Sequence, residues 1–359
     1  MAVEQRRFSV LTFEPEAAAL QTGGGEVRGF PAWFPHATPA TGVQGILSEM
    51  HAGDTPAGAI AFVDAGTAGI WHEVDVAEWA RRAAAGGAAG LVLAIDHVSG
   101  EQYQPNAEPP HVQTPLPLPV LLVPASAAAA IKAARGQEAT LRLSGTQRAT
   151  YGLNLLGRLQ RGDGPWIVVS TPPSGWFRAA GERGPGVALW LALARAAAAR
   201  NDGRNYLFIA ASGHELDYLG ARTLLAEEIL PPPAAVQAWL HLGASIGVRD
   251  WKVGDSGLVP HDRVQPRSFA FAADTLRGAA DRTLAALPGI ALHAVADLPA
   301  SRGGELALYR DAGYPMIGFA GAHRFFHTPR DLPDVTSAAL LAPYGNALQR
   351  LLAALAEED

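Results

Sequence analysis

The chain of 359 residues contains no cysteine. Disulfides and thiolate metal sites are therefore excluded, and any metal must be held by His, Asp or Glu. Charge is also sparse. Charged residues make up 17% of the chain, the net charge is −6, and no block of basic residues occurs. That leaves no electrostatic footprint for nucleic acid. No apolar run reaches the length of a membrane span. The opening MAVEQRRFSVLTFEPE lacks the apolar core of a signal peptide. Together these absences predict a cytoplasmic protein with neither nucleic acid nor a membrane as partner. No internal repeat is present. What the chain has in quantity is apolar residues, 48% of the total. At this length that suits one large or two medium domains.

Residues 1–44 carry one strand-like run, Arg7 to Phe13, and then turn-rich sequence. From Gly45 the pattern tightens. Strands are expected at Ala59 to Val63, Leu91 to Ile95, Pro119 to Val123 and Ala139 to Leu143. Helices are expected at Val74 to Ala85 and near Ser126 to Ala134. A polar, Pro-rich loop runs from Gly100 to Pro117. This region has almost no clustered His or carboxylate and reads as non-catalytic.

The second half alternates again. Strands are expected at Trp166 to Ser170, Asn205 to Ala211, Ala235 to Leu242, Ala291 to Val295 and Pro315 to Phe319. Helices are expected at Gly186 to Arg200, about Ser268 to Ala286, Glu305 to Ala312 and Thr336 to Glu357, with a loop through Trp251 and Pro260. Such alternation predicts an α/β fold with a mostly parallel sheet sandwiched by helices. The expected division is 1–149, an N-terminal strand plus a smaller α/β domain, and 150–359.

One stretch organises the second half: IAASGHELDYLGARTLL, Ile209 to Leu225. An apolar strand delivers His214 and Glu215 at its carboxyl end, and Leu216, Leu219, Leu224 and Leu225 follow at helical spacing. In open α/β sheets ligands and catalytic groups gather at that edge. The competing reading is a strand–turn–helix joint whose His and Glu are solvated or cap the helix. Three further strand ends bring polar groups: Ser170 to Glu182, His241 to Gly243, and His323 to His327.

In the first half, AIAFVDAG, WARRAAAGGAAGLVLAID, LPVLLVPASAAAAIKAARG and ATLRLS resemble, in that order, the protease-associated domain, a lid or substrate-positioning module. The second half resembles the zinc aminopeptidase family M28, which includes glutaminyl cyclases. The resemblance rests on GERGPGVALWLALARA, SGHELDYLGARTLL, LYRDAGYPMIGF and FFHTPRD. It implies a zinc-aminopeptidase-like fold and, in the family pattern, two zincs sharing an aspartate. The carried-over positions depart from that pattern. The early H-x-D motif falls on Thr171-Pro172-Pro173 and the later Asp on Gly243. The bridging Asp falls on Glu182, the general-base Glu on His214, and the ligand Glu and last His are kept as Glu215 and His327.

One zinc therefore loses both its private ligands. The resemblance leaves two options: a single zinc on Glu182, Glu215 and His327, as the animal glutaminyl cyclases use one zinc, or no metal at all. Arg183, beside Glu182, can neutralise that carboxylate. His214 and Glu215 are the candidate catalytic pair, since imidazole accepts a proton near neutral pH. Trp176, His241, Glu305 and Phe326 are candidates for substrate binding. A satisfied strand-end histidine also explains His241, and helix capping explains Glu305. Trp251 and Phe325 are further aromatics that flank the expected cleft, and surface-loop or core positions explain these aromatics equally well. Three functions follow. One is a repurposed hydrolase or cyclase for a small peptide-like or amide-containing molecule, and the second is metal-free acid–base or acyl-transfer chemistry. The third is a pseudo-peptidase that binds or scaffolds. Fold alone does not choose among them.

Overall fold

The structure is a computed structural model, and it describes residues 1–50, 56–69, 74–255, 257–298 and 303–357. By its internal contacts the chain divides into two units. One holds residues 1–8, 152–326 and 331–359; the other holds 9–151 and 327–330. No helix among the described residues is long and apolar enough to cross a membrane.

The elements of the first half are β1 (Ala2–Thr22), β2 (Gly25–Arg28), β3 (Phe30–Pro31), β4 (Val43–Glu49), β5 (Ile60–Gly69), α1 (Val76–Ala85), β6 (Gly90–His97), β7 (Val120–Pro124), α2 (Ala128–Ala133) and β8 (Glu138–Leu159). Strands β4, β5, β6 and β7 pair in parallel. Their apolar runs are buried, with Leu47, Phe62, Val92 and Leu121 in one core. Asp75 caps α1 by accepting the Glu78 N–H at 2.7 Å.

Strand β8 is longer than the sequence suggests. It pairs with β4 through Glu138 to Leu141 and with the strand at Asn205–Ala210 through Leu155 to Leu159. The expected boundary at 149/150 thus falls inside one strand. Gly145 and Gly152 are points of close approach to β1. A Cβ at Gly145 would stand 2.3 Å from the Glu14 carbonyl oxygen, and one at Gly152 would stand 2.2 Å from the Phe8 ring.

The second half contains β9 (Trp166–Thr171), α3 (Gly184–Ala199), β10 (Asn205–Ala210), α4 (Leu219–Ala226), β11 (Val236–Leu242), β12 (Arg249–Gly254), β13 (Gly257–Val264), β14 (Ser268–Ala272), α5 (Arg277–Leu284), β15 (Ile290–Ala294), α6 (Gly304–Asp311), β16 (Met316–Gly321) and α7 (Ala338–Glu357). The sheet order is β15-β14-β16-β11-β9-β10-β8. The β9–β10, β9–β11, β11–β16 and β14–β15 pairs are parallel. The β14–β16 and β8–β10 pairs are antiparallel. This is the expected α/β class.

Alternation splits the sheet's two faces. Ile167 and Val169 join the core under α3, α5 and α7, while Val168 joins the one under α4 and α6. Helix α3 begins with Pro185 in its first turn, where no N–H is needed, and buries Leu189, Leu193 and Ala197 along one stripe.

Three expectations are corrected. Ser268 to Ala272 is a strand, not the start of a helix, because SFAFA alternates aromatic and small residues at the strand period. The helix begins only at Arg277. The loop through Trp251 and Pro260 is a hairpin, with these two residues opposite each other; in a two-stranded ribbon Pro260 needs no second neighbour. Helix α4 starts at Leu219 and not at Leu216, because Asp217 and Tyr218 have φ of 52° and 57°.

Candidate active site

The parallel register sets three strand ends level. Thr171 lies opposite Ala210, and Ser170 lies opposite His241. The loops leaving β9, β10 and β11 therefore start at one edge of the sheet. After β10 the chain turns through Gly213, φ 76°, and presents His214 and Glu215. Asn154 in β8 holds this turn. Its oxygen accepts the Ser212 N–H at 3.1 Å and its amide donates to the Gly220 carbonyl at 2.9 Å. Gly220 must be glycine there, since a Cβ would lie 2.3 Å from the Ser212 oxygen and 2.4 Å from Asn154.

Ser174 and Arg183, from the loop after β9, close on this turn. The Ser174 hydroxyl accepts the N–H groups of Gly213 and His214 at 2.9 and 3.2 Å and donates to Glu215 Oε2 at 2.9 Å. Arg183 Nε donates to the Ser174 carbonyl at 2.7 Å. Its Nη2 lies 2.8 Å from Glu215 Oε1 and 2.7 Å from Glu182 Oε1. All three charged side chains are buried. Burial alone would lower the Arg183 pKa; the charges of Glu182 and Glu215 outweigh it and hold the guanidinium above its ordinary range.

Glu305, in the first turn of α6, is placed differently. It is 1% exposed and neither carboxyl oxygen has a hydrogen-bond partner among the described residues. Helix capping therefore does not explain it. Burial pushes its pKa up, against the charge of Arg183, to about 8. At neutral pH it is a neutral acid. His214 Nδ1 is 3.3 Å from Glu305 Oε1. One turn on, Tyr309 stacks on Trp239 at 4.2 Å with its hydroxyl buried and unpartnered among the described residues. Arg183 Nη1 is in the same state. Buried polar atoms left unpaired call for an explanation, and a polar ligand is one.

His241 is buried, and its Nδ1 is 2.8 Å from the Ser170 hydroxyl. Burial first, and then the Arg183 charge, lower its pKa to about 3, so the ring is neutral. Trp176 and Phe326 are half-buried, Phe326 edge-on to His323 at 6.3 Å. Trp251 and Phe325 pack edge to face at 5.0 Å in a small core with Val248 and Val335, the core position being one of the readings open to them. His327 belongs to the unit of residues 9–151. Its ring stacks on Tyr103 at 5.9 Å and its carbonyl accepts the Gln104 N–H.

The remaining carried-over positions serve the backbone. Thr171 donates its hydroxyl to the Leu242 carbonyl at 2.9 Å. A Cβ at Gly243 would stand 2.1 Å from the Phe319 oxygen, so no carboxylate fits there on this backbone. Asp331, from the HTPRD segment, accepts the N–H groups of Gly181 and Glu182 at 2.6 and 3.0 Å. It thereby orients Glu182 toward Arg183.

The donor set does not fit a zinc ion. Among the described residues no group of three or more His, Cys, Asp or Glu could hold a metal. The two carboxylates offered as ligands already share a permanent cation, and a divalent ion beside it would be repelled. Arg183 was legible as a neighbour that could neutralise Glu182. Its hold on Glu215, and the parts played by Ser174, Asn154 and Tyr309, were missed. Ser174 carried a weak signal, directly after Pro172-Pro173 at a strand end.

The fold is that of the zinc aminopeptidases. The chain is similar to BSAP, a zinc aminopeptidase from Bacillus subtilis, with a TM-score of 0.73 and 17% identity over 98% of this chain and 84% of that one. It is also similar to a Peptidase M28 precursor from Shewanella amazonensis SB2B (0.69, 15%, 100% and 84%). An aminopeptidase from Aneurinibacillus sp. strain AM-1 gives 0.67 and 16% over 98% and 83%. No protein-family model matches the chain. No curated protein matches it either.

Proposed function

We propose that this chain is a peptidase-like enzyme that works without metal on a small peptide-like or amide-containing molecule, with His214 and Glu305 as its acid–base pair. The observation that carries the reading is the contact between them: a carboxyl with a pKa near 8, 3.3 Å from an imidazole nitrogen at a strand's carboxyl end. A pKa near the working pH is what a general acid needs. In an amide hydrolysis His214 would take the proton of the attacking water and Glu305 would give one to the departing amine. Replacing water by the molecule's own amine turns the same proton transfers into a cyclisation. Arg183 Nη1 offers an unpaired donor for the carbonyl oxygen. The sequence-based pairing of His214 with Glu215 is less favourable, because Glu215 is tied to Arg183 and Ser174.

That tie also favours a second reading, a pseudo-peptidase that binds such molecules and does not turn them over. Assays of unblocked dipeptides and N-terminal glutamine amides, with a chelator present, separate the two. Turnover that ignores the chelator and vanishes in His214→Ala supports the enzyme. Binding by calorimetry with no turnover of any bound compound would sink it.

A further inference from the structure

Away from this cleft, three chain segments bring cations to one recess of about 200 Å³. The β12–β13 hairpin supplies Arg249, Lys252 and Arg263, the segment before β14 supplies Arg267, and the segment after β16 supplies Arg324. Asp250 is the one acidic residue in its wall. On a chain of net charge −6 such a concentration is local and not a general property of the surface.

The charges are only partly neutralised. Arg263 is paired with Asp250 through Nε and Nη2 at 2.8 and 2.7 Å. Arg249 pairs with Asp262, whose side chain is 95% exposed and so screened by solvent. Lys252 and Arg267 form no ion pair among the described residues and are exposed. Arg324 is half-buried, and its pKa is lowered first by burial and next by the charge of Arg267, with Asp250 opposing. The recess therefore holds like charges close enough to repel, which a bound anion relieves.

We infer that this recess binds a phosphate-type oxyanion carried by a small molecule. Guanidinium forks from separate segments match the oxygens of such a group, and a lysine adds a point charge. Lys252 and Arg267, which form no ion pair among the described residues, suit a doubly charged anion better than a lone carboxylate. The recess admits a single anionic group, whereas nucleic acid needs an extended basic track.

Calorimetric titration of the full chain with inorganic phosphate at constant ionic strength, with chloride as control, tests this. The expected result is saturable binding of phosphate, absent for chloride, that weakens at least about tenfold in Arg267→Ala and in Lys252→Ala. Both side chains are exposed, so their removal leaves the fold intact. Arg324→Lys, which keeps the charge and loses the fork, should weaken binding less than Arg324→Ala. Equal responses to phosphate and chloride, or unchanged affinity in Arg267→Ala and Lys252→Ala, would overturn the site. Tighter binding of a single-stranded oligonucleotide than of phosphate, abolished by the same substitutions, would overturn the small-molecule assignment.

Discussion

Two sets of buried carboxylates lie in the same half of the molecule and meet opposite fates. Glu182 and Glu215 face the Arg183 guanidinium at 2.7 and 2.8 Å. Glu305 has no such partner, and its carboxyl is raised to about 8. All three are almost fully shielded from water. Burial is therefore common to both sets, and the partner decides which acid keeps its charge. The ion-paired set is architecture: it ties the loop after β9 to the turn after β10. The neutral acid is left available for chemistry.

Removing the cation should break this contrast most severely. Arg183→Met leaves two buried carboxylates uncompensated, and urea unfolding should show a loss of about 3–5 kcal/mol. Adding Glu182→Gln and Glu215→Gln should recover much of that loss; no recovery would mean that the guanidinium acts by packing and not by charge. His214→Ala should lower turnover about a hundredfold or more with the circular dichroism spectrum unchanged. An unfolded variant would instead assign His214 a structural role. Gly243→Ala probes the position onto which the sequence resemblance carries an aspartate. The clash with the Phe319 carbonyl at 2.1 Å should destabilise the fold by about 1–3 kcal/mol. A neutral effect would show that a side chain, and so a ligand, fits there.

The smallest effect on stability at low pH, and the most informative in its pH dependence, belongs to Glu305→Gln. The folded carboxyl titrates near 8 and the unfolded one near its ordinary 4.5. Between these values the folded state holds a proton that the unfolded state has lost. The Glu305 contribution is thus fully present below 4.5, declines as pH rises and levels off above about 8. Glu305→Gln should remove that decline, and it should also remove the limb near pH 8 from the turnover profile. An unchanged stability curve would show that Glu305 is not raised.

The sheet was legible because NYLFIA and WIVVS are continuous apolar runs, as a parallel strand covered on both faces requires. The strand SFAFA was not, because an alanine-rich helix follows it closely and the two merge into one helical pattern. The β8 strand was hidden by glycines that serve close packing and look like turns. At the site, His214 and Glu215 stood out through their position after an apolar run. Glu305 was legible as a substrate-binding candidate or a helix cap, but not as a buried acid. A glutamate in a helix's first turn looks like a cap, and only tertiary packing tells a solvated carboxylate from a buried acid. Arg183 lies next to Glu182 in sequence, yet its reach to Glu215 joins two loops 32 residues apart, which no local pattern encodes.

The Arg183 guanidinium occupies Glu182 and Glu215, the two carboxylates that the sequence resemblance offers to a zinc. Elemental analysis of protein purified without chelator, followed by calorimetric titration with zinc, tests it directly. The expected result is no stoichiometric zinc in the purified protein and no tight binding on titration. Turnover of any substrate found should also be indifferent to chelator. Stoichiometric zinc, lost together with activity on chelation and restored with it on adding zinc back, would show that Glu182 and Glu215 serve a metal and not Arg183.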